Sequence, residues 1–317
     1  MSDHLSRKVA DIVSQFENVP KRGVHDRFTG LPYFSNIIAD HISGYTQYVD
    51  DDGNLLYILN HQIKNDSSCR ILFSKNLNGP FEKINTPASF NHTGGIQAVG
   101  KYLFVPCSRG DNSIVAVYDL KTRKEKPVID FTHMAGSSAV GITDFIHNGT
   151  TYYLLLVSQG TTYNAYIAKV PKDGDMAKAV FKERGNFVLR NLPSNVHGRD
   201  IKCDGFGLVT ERKEGIPDKV YMIGLQPDTH GLTYRDMMYL IELTINDTEV
   251  GFVRDTIKDK HLTSVGGVAG DAGTHFRWGA GININASNNL VVLATSRNII
   301  AGTFLNATSW TSEAKHK

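Results

Sequence analysis

The sequence is poor in cysteine, has no long apolar run and carries no excess of either charge. Three cysteines occur among 317 residues, far apart and without a Cys-x-x-Cys pair. A disulfide framework and a cysteine-rich zinc site are therefore not expected, whereas free thiols in a reducing compartment are. The 34 basic and 32 acidic residues are mixed along the chain, which predicts no surface for nucleic acid or for an anionic membrane.

The chain also lacks segments that direct a protein into or across a membrane. No apolar run approaches the roughly 20 residues that a membrane-spanning helix needs. Residues 1–20 are polar and charged, without the apolar core of a secretory signal. A cytoplasmic location is therefore favoured, and secretion is the alternative if a leader has been removed.

A short motif recurs five times along the chain. Each copy has a glycine followed by an apolar and usually a polar residue; after a turn comes a block of consecutive apolar residues. The copies are Ser43-Gly44-Tyr45-Thr46, Gly94-Gly95-Ile96-Gln97, Val140-Gly141-Ile142-Thr143, Phe206-Gly207-Leu208-Val209 and Ala280-Gly281-Ile282-Asn283. The apolar blocks are Leu55–Leu59, Tyr102–Val105, Tyr152–Val157, Val220–Leu225 and Leu290–Ala294. A supersecondary unit repeated at this period is typical of a radial or stacked array.

Tight turns separate the short β-type runs within each unit. Asn148-Gly149 lies between two such runs, and Asn-Gly between strands is a strong hairpin signal. Hairpins without intervening helices argue against a parallel α/β fold. The pattern resembles that of β-propellers at the level of architecture, without the signature of a particular family. It implies an all-β fold, a five-bladed β-propeller of four-stranded antiparallel blades.

The chain divides into a lead-in, residues 1–30, and a single propeller domain, residues 31–317. Five apolar residues near the start recur at helical spacing: Leu5, Val9, Ile12, Val13 and Phe16. They predict a short amphipathic helix over residues 5–16, capped by the Ser2–Asp3 region. The last unit has no clear fourth strand, so a segment around residues 28–38 is predicted to complete it, which would remove two exposed sheet edges.

The first strand of each propeller blade lines a central channel. The positions two residues after the repeat glycines are Thr46, Gln97, Thr143, Val209 and Asn283. Because side chains alternate along a strand, these five are predicted to face one channel. A ring of amides and hydroxyls suits water or a polyol, and the alternative is a water-filled channel that needs no ligand.

A histidine precedes the inner strand in every unit. These residues are His41, His92, His133, His197 and His275. The loops that enter the inner strands open at one end of the channel, so the imidazoles are predicted to converge there. Such a ring would hold a divalent metal ion at the axis, or would supply an acid and a base around a ligand. The chain has 12 histidines, so a chance distribution is the alternative.

Two of these histidines are followed two residues later by an arginine, Arg199 and Arg277, and Trp278 adjoins the second. Residues two apart in an extended segment point the same way, so histidine and arginine would clamp a carboxylate or a phosphate. Trp278 would offer a flat surface to a sugar ring. The alternative is a structural ion pair between an arginine and Asp204 or Asp271.

These patterns predict an enzyme that acts on a small polar, sugar-like or anionic substrate by hydrolase or lyase chemistry at one mouth of the channel. His92 and His275 are the predicted catalytic residues, with Asp144 as base or orienter. The predicted ligand contacts are His41, Gln97, His133, Thr143, Arg199, Arg277, Trp278 and Asn283. The alternative is a non-catalytic propeller, lectin-like or protein-binding, because this fold hosts both classes. A monomer or small homo-oligomer with a small-molecule or carbohydrate ligand is expected in either case.

Overall fold

The computed structural model describes residues 3–31, 40–50, 52–63, 68–130, 138–193, 196, 200–227, 236–246, 249–263, 273–297 and 304–312. Across these ranges the chain forms five antiparallel sheets, which are the blades of a five-bladed β-propeller. The predicted fold class is therefore confirmed. Within the same ranges the helices are too short and too polar to span a membrane. The cysteines are free and buried, as expected.

Strands make up most of the described chain. Those of the first half are β1 (Val24–Thr29), β2 (His41–Val49), β3 (Leu55–Gln62), β4 (Arg70–Ser74), β5 (Glu82–Asn85), β6 (His92–Thr93), β7 (Gln97–Val99), β8 (Tyr102–Arg109), β9 (Asn112–Asp119) and β10 (Glu125–Asp130). Those of the second half are β11 (Ala139–His147), β12 (Thr150–Gln159), β13 (Thr162–Lys169), β14 (Lys182–Val188), β15 (Gly205–Glu211), β16 (Lys219–Gln226), β17 (Asp236–Ile245), β18 (Val250–Phe252), β19 (Lys258–Leu262), β20 (Gly281–Ile284), β21 (Leu290–Thr295) and β22 (Phe304–Thr311).

Each blade runs from an inner strand at the axis to an outer strand at the periphery. Blade 1 is β2-β3-β4-β5 and blade 3 is β11-β12-β13-β14. In blade 2 the inner strand is split, because β6 and β7 both pair with β8, which is followed by β9 and β10. In blade 4, β15-β16-β17 is completed by β18 and β19, which pair with different parts of β17.

The N-terminal strand completes the last blade. Blade 5 has the order β20-β21-β22-β1, and β1 pairs with β22 from Val24 opposite Ser309 to Thr29 opposite Phe304. Completion by an N-terminal segment was predicted, but the pairing strand begins earlier, at Val24, and shares only Phe28 and Thr29 with residues 28–38, most of which fall outside the described residues. Residues 24–29 of the lead-in are thus an integral part of the propeller.

The helix begins later than its apolar spacing predicts. It spans Ile12–Asn18 (α1), and the side chain of Asp11 accepts a hydrogen bond of 2.9 Å from the N–H of Ser14. Residues 5–11 are not helical, so the predicted start and cap are wrong. Val9 instead forms a parallel bridge to Glu211, whose carboxylate also accepts the N–H of Ile12. Pairing with blade 4 therefore replaces the first helical turns.

The repeat glycines lie where the inner strands of neighbouring blades approach each other most closely. A Cβ at Gly281 would collide with the carbonyl oxygen of Tyr45 in blade 1. A Cβ at Gly44 would lie 2.6 Å from the carbonyl oxygen of Gly94 in blade 2. No side chain fits at these distances unless the backbone moves, so the glycines set how tightly the five strands surround the axis.

The apolar blocks of the repeat form the second strand of each blade and are buried between adjacent sheets. Between blades 3 and 4, Leu154 and Leu156 share one cluster with Phe206 and Leu208. The rings of Tyr163 and Phe206 meet edge to face with centroids 5.5 Å apart. Each large apolar side chain buried in this way contributes about 1.5–3 kcal/mol, so the interfaces between blades hold the propeller closed.

Candidate functional site

The five inner strands point the same way around the axis and so define two ends of the propeller. The parallel bridge between Gly95 of blade 2 and Ala139 of blade 3 shows this shared direction. We call the end at which these strands begin the entry rim, and the end at which they finish the exit end. An inner strand rises about 3.3 Å per residue, so the six residues from Ser138 to Asp144 separate the two ends by about 20 Å.

A cavity of about 320 Å³ lies at the exit end. Residues from the inner strands of all five blades line it, and they include the predicted ring of Thr46, Gln97, Thr143, Val209 and Asn283. The structure therefore brings these five positions together. Their role as ligand contacts stays a prediction.

The side chain of Gln97 spans the channel above this cavity. Its Oε1 accepts hydrogen bonds of 2.8 Å from the N–H groups of Ile142 and Leu208, and its Nε2 donates to the carbonyl oxygen of Leu208, also at 2.8 Å. The amide thus ties blade 2 to blades 3 and 4. The hydroxyl of Thr46 likewise donates to the carbonyl oxygen of Ile282 at 3.0 Å. These polar groups of the ring are satisfied by the protein itself, which is a structural role.

The N-terminal strap, residues 3–11, covers the exit end. Leu5, Ser6 and Arg7 line the cavity, and the guanidinium of Arg7 reaches blade 1, where it donates to the carbonyl oxygen of Val49 at 3.2 Å. Further hydrogen bonds join the strap to Lys101, Asp144, Tyr153 and Arg212. Four blades are therefore tied together by one segment.

Asp144 lies beneath this strap and not at the entry rim. Its buried carboxylate accepts hydrogen bonds of 2.5 Å from both the N–H and the hydroxyl of Ser6, and it forms an ion pair with Arg212. The structure thus separates Asp144 by about 20 Å from the histidines with which sequence reasoning grouped it. A base at Asp144 that acts together with His92 and His275 does not fit this geometry.

The entry rim is formed by residues at the start of the inner strands or up to three residues before it. In blades 2 to 5 the position three residues before the repeat glycine is occupied by His92, Ser138, Asp204 and Trp278, respectively. In blade 1 a β-bulge between Ile42 and Gly44 adds one residue, and the corresponding residue is Asp40. The rim therefore carries two carboxyl groups, one imidazole, one hydroxyl and one indole, each on a different blade.

Trp278 is the centre of a cluster of cations and imidazoles at this rim. The rings of His41 and His275 approach it edge to face, with centroids at 5.6 and 5.7 Å. The guanidinium groups of Arg277 and Arg297 lie over the indole, with Cζ 5.1 and 4.9 Å from its centroid. The predicted association of His41, His275, Arg277 and Trp278 is thus present. The arginines cover the indole, however, so it does not offer the open surface for a sugar that was expected.

The loop that carries this cluster is fixed by buried polar contacts. The N–H of Phe276 donates to the carboxylate of Asp236 at 3.0 Å, and the N–H of His275 donates to the carbonyl oxygen of Thr295 at 3.3 Å. The N–H of Arg277 donates to Nδ1 of His275 at 3.2 Å. This imidazole nitrogen is therefore an acceptor, and the His275 ring is tied to the backbone of the residue two positions on.

The two carboxyl groups of the rim differ in what surrounds them. Burial raises the pKa of Asp204, and this effect outweighs the charges of Lys202 and Arg277, which act in the opposite direction. Asp40 is 1% exposed and interacts electrostatically with His61 on the neighbouring strand β3. Sequence reasoning named Asp204 as an ion-pair partner and missed Asp40. The available signal was an acidic residue directly before an inner strand.

Burial also lowers the pKa of His61 to about 4, although the charge of Asp40 acts in the opposite direction. In the unfolded chain a histidine titrates near 6.5. The unfolded state therefore binds a proton more readily than the folded state between these values.

We expect the free energy of unfolding to fall by roughly 3 kcal/mol on account of His61 as the pH drops from about 6.5 to about 4. The replacement His61→Asn removes this dependence of stability on pH. The difference in unfolding free energy between wild type and variant should therefore change by roughly 3 kcal/mol between about pH 6.5 and about pH 4. The exposed His261→Gln is the matched control. Chemical denaturation at several pH values measures it, and parallel curves for His61→Asn and wild type would contradict the assignment.

The remaining predicted rim residues are only partly placed. His133, His197, Arg199 and Asp271 lie outside the described residues. His92 is exposed, and its Nδ1 lies 3.4 Å from the hydroxyl of Ser108. Among the residues that the structure describes, no group of three or more histidine, cysteine or acidic side chains is arranged to hold a metal ion. A metal bound by the five histidines stays a prediction.

Comparison with solved structures finds similar folds among proteins that are named as glycoside hydrolases. The catalytic domain of a family 62 α-L-arabinofuranosidase from Coprinopsis cinerea aligns over 94% of this chain and 99% of its own, with 9% identity and a TM-score of 0.51. An α-L-arabinofuranosidase from Lactobacillus brevis covers 88% and 92%, with 11% identity and a TM-score of 0.46. A family 117 glycoside hydrolase from Zobellia galactanivorans covers 92% and 91%, with 9% identity and a TM-score of 0.43.

This chain shares their propeller architecture. At such low identity the likeness shows the fold alone, and no protein-family model and no curated protein matches the chain.

Proposed function

We propose that the protein is a hydrolase that cleaves glycosidic bonds at the entry rim. The observation that carries this proposal is a pair of carboxyl groups at equivalent positions of different blades, Asp40, which is buried, and Asp204, which is half-buried. Glycoside hydrolysis usually needs one carboxylic acid and one carboxylate on either side of the scissile bond. The rim supplies two candidates, each directly before a strand, and groups supported by such elements are held more precisely than groups on long loops.

Asp204 is assigned the role of general acid. Burial raises the pKa of this side chain, so it keeps its proton to a higher pH than an exposed aspartate would. A protonated carboxyl group can then donate to the leaving oxygen of the glycosidic bond. Asp40 is assigned the second role, either as the base that activates a water molecule or as the nucleophile that attacks the sugar.

The fold is one on which this chemistry occurs. The Coprinopsis cinerea neighbour is named as an α-L-arabinofuranosidase, an enzyme that cleaves a glycosidic bond. Fold likeness does not choose the reaction, so the proposal depends on the carboxyl pair. The cavity at the exit end is a weaker candidate, because the amide of Gln97 and the hydroxyl of Thr46 bond to the protein and the N-terminal strap covers it.

The proposal is tested by incubating the purified chain with a panel of polysaccharides and aryl glycosides and measuring the release of reducing ends or chromophore. We expect cleavage of at least one substrate, and we expect Asp40→Asn and Asp204→Asn each to abolish it. Binding of a glycan without cleavage would favour the lectin-like alternative. Full activity of both variants would contradict the assignment.

A further inference from the structure

Two cations share one aromatic side chain at the entry rim. The Cζ atoms of Arg277 and Arg297 lie 5.1 and 4.9 Å from the ring centroid of Trp278. They are therefore no further apart than the sum of these distances, about 10 Å, a range at which like charges repel each other. Attraction to the indole holds them in place. An anionic group beside Arg277 would lower the energy of this arrangement.

The guanidinium of Arg277 is accessible from solvent. Its side chain is exposed, and none of the described carboxylates forms an ion pair with it. Arg277 interacts electrostatically with Asp204 and lowers the pKa of this carboxyl group. Burial has the larger, opposite effect and favours the protonated form of Asp204. The donors of Arg277 are thus not consumed within the described part of the protein.

The position of Arg277 is nevertheless fixed. Its backbone N–H is bonded to His275, and its side chain is stacked on Trp278, which itself touches His41 across the interface between blades 5 and 1. A planar guanidinium held in this way loses little freedom when it binds. Its parallel N–H groups match the two oxygens of a carboxylate, which gives short and specific hydrogen bonds.

We propose that Arg277 binds the carboxylate of a uronate residue in the glycan, and that Trp278 holds Arg277 in the orientation that this requires. The proposal deepens the function proposed above and rests on it, because it names the substrate class of the same site. A neutral pentose or hexose has no group that replaces the carboxylate. The charged sugar would lie beside Asp204, within reach of the assigned general acid.

The test uses oligosaccharides of galacturonate, glucuronate and mannuronate, each paired with its carboxyl-reduced, neutral counterpart. We expect kcat/KM for the preferred uronate to exceed that for its neutral counterpart by about tenfold to a hundredfold, which is the worth of a bidentate charged hydrogen-bond pair. Arg277→Met should bring kcat/KM for the uronate close to that for the neutral counterpart and so remove this ratio. Arg277→Lys should retain only part of the preference for the uronate, because an ammonium group lacks the parallel N–H donors of a guanidinium.

Arg27→Met is the matched control. Arg27 is also exposed and stacked, with Cζ 4.7 Å from the ring centroid of Phe304, but it lies on the outer strand β1. The Arg27→Met variant should leave the ratio of kcat/KM for the uronate to that for its neutral counterpart unaltered. Calorimetric binding to the Asp40→Asn variant gives a second readout without turnover, and the same preference is expected there.

The outcomes separate the two proposals. Cleavage of neutral glycans only, or an unchanged ratio in Arg277→Met, would overturn the uronate proposal and leave the hydrolase standing. Uronate binding that depends on Arg277, without cleavage of any substrate, would overturn the hydrolase and support the anion site.

Discussion

Replacing Asp204 with asparagine is expected to lower hydrolysis by at least about a hundredfold, since a positioned general acid contributes roughly 10²–10⁴ in rate. The same change should leave the protein equally stable or make it more stable. Burial raises the pKa of Asp204, so the folded state disfavours its charge; the cost grows as the pH rises above the titration range of the unfolded aspartate and is fully present above the raised titration range of the folded state. A neutral amide of the same shape removes that cost. Activity and stability should therefore move in opposite directions.

The matched control is Asp200→Asn, four residues earlier on an exposed segment, where the carboxylate accepts the N–H of Asn191 at 3.0 Å. It should leave turnover unchanged. Steady-state kinetics and thermal unfolding at pH 7 measure both quantities. If Asp204→Asn lost stability and activity together, Asp204 would be a structural residue and the proposed acid would be wrong.

Removing Arg212 is expected to destabilise the propeller by about 3–5 kcal/mol, the usual cost of leaving a buried charge without its partner. The guanidinium pairs with Asp144, which is 0% exposed, and its Nε donates to Asp218 at 2.9 Å. In Arg212→Leu both carboxylates lose their cation, and Ser6 offers only hydrogen bonds to one of them. The exit end should open first, because the N-terminal strap is bonded there.

Lys219→Met provides the comparison within the same blade. Lys219, an exposed residue at the start of β16, pairs with Glu242 of β17 at 3.1 Å, and such a pair contributes at most about 1 kcal/mol. Denaturant titration should show a much larger loss for Arg212→Leu than for Lys219→Met. Equal losses would mean that the pair between Arg212 and Asp144 is not a main support of the exit end.

The parts of the fold that depend on local signals were predictable from the sequence. The Asn148-Gly149 turn and the apolar blocks specify hairpins through neighbouring residues, and the third blade follows these signals closely. The repeat glycines specify the axis because no other residue fits there. The start of α1 was not predictable in this way, since its carboxylate partner, Glu211, is 199 residues away in sequence.

Only part of the candidate site was predictable from the sequence. Sequence reasoning found His41, His275, Arg277 and Trp278, because each occurs near the entry to an inner strand. It also placed Gln97 and Asp144 in the same pocket, since periodicity shows which face a residue occupies and not how far along the strand it lies. Asp40 escaped notice because the bulge in β2 shifts it by one position relative to the glycine of its unit.

The most direct test of the account is a crystal structure of Asp204→Asn with a bound oligosaccharide that the wild type cleaves. The account predicts sugar density at the entry rim, with the scissile linkage between residue 204 and Asp40 and a charged substituent on Arg277. Density in the cavity beneath the N-terminal strap, or on the outer face of a blade, would contradict it.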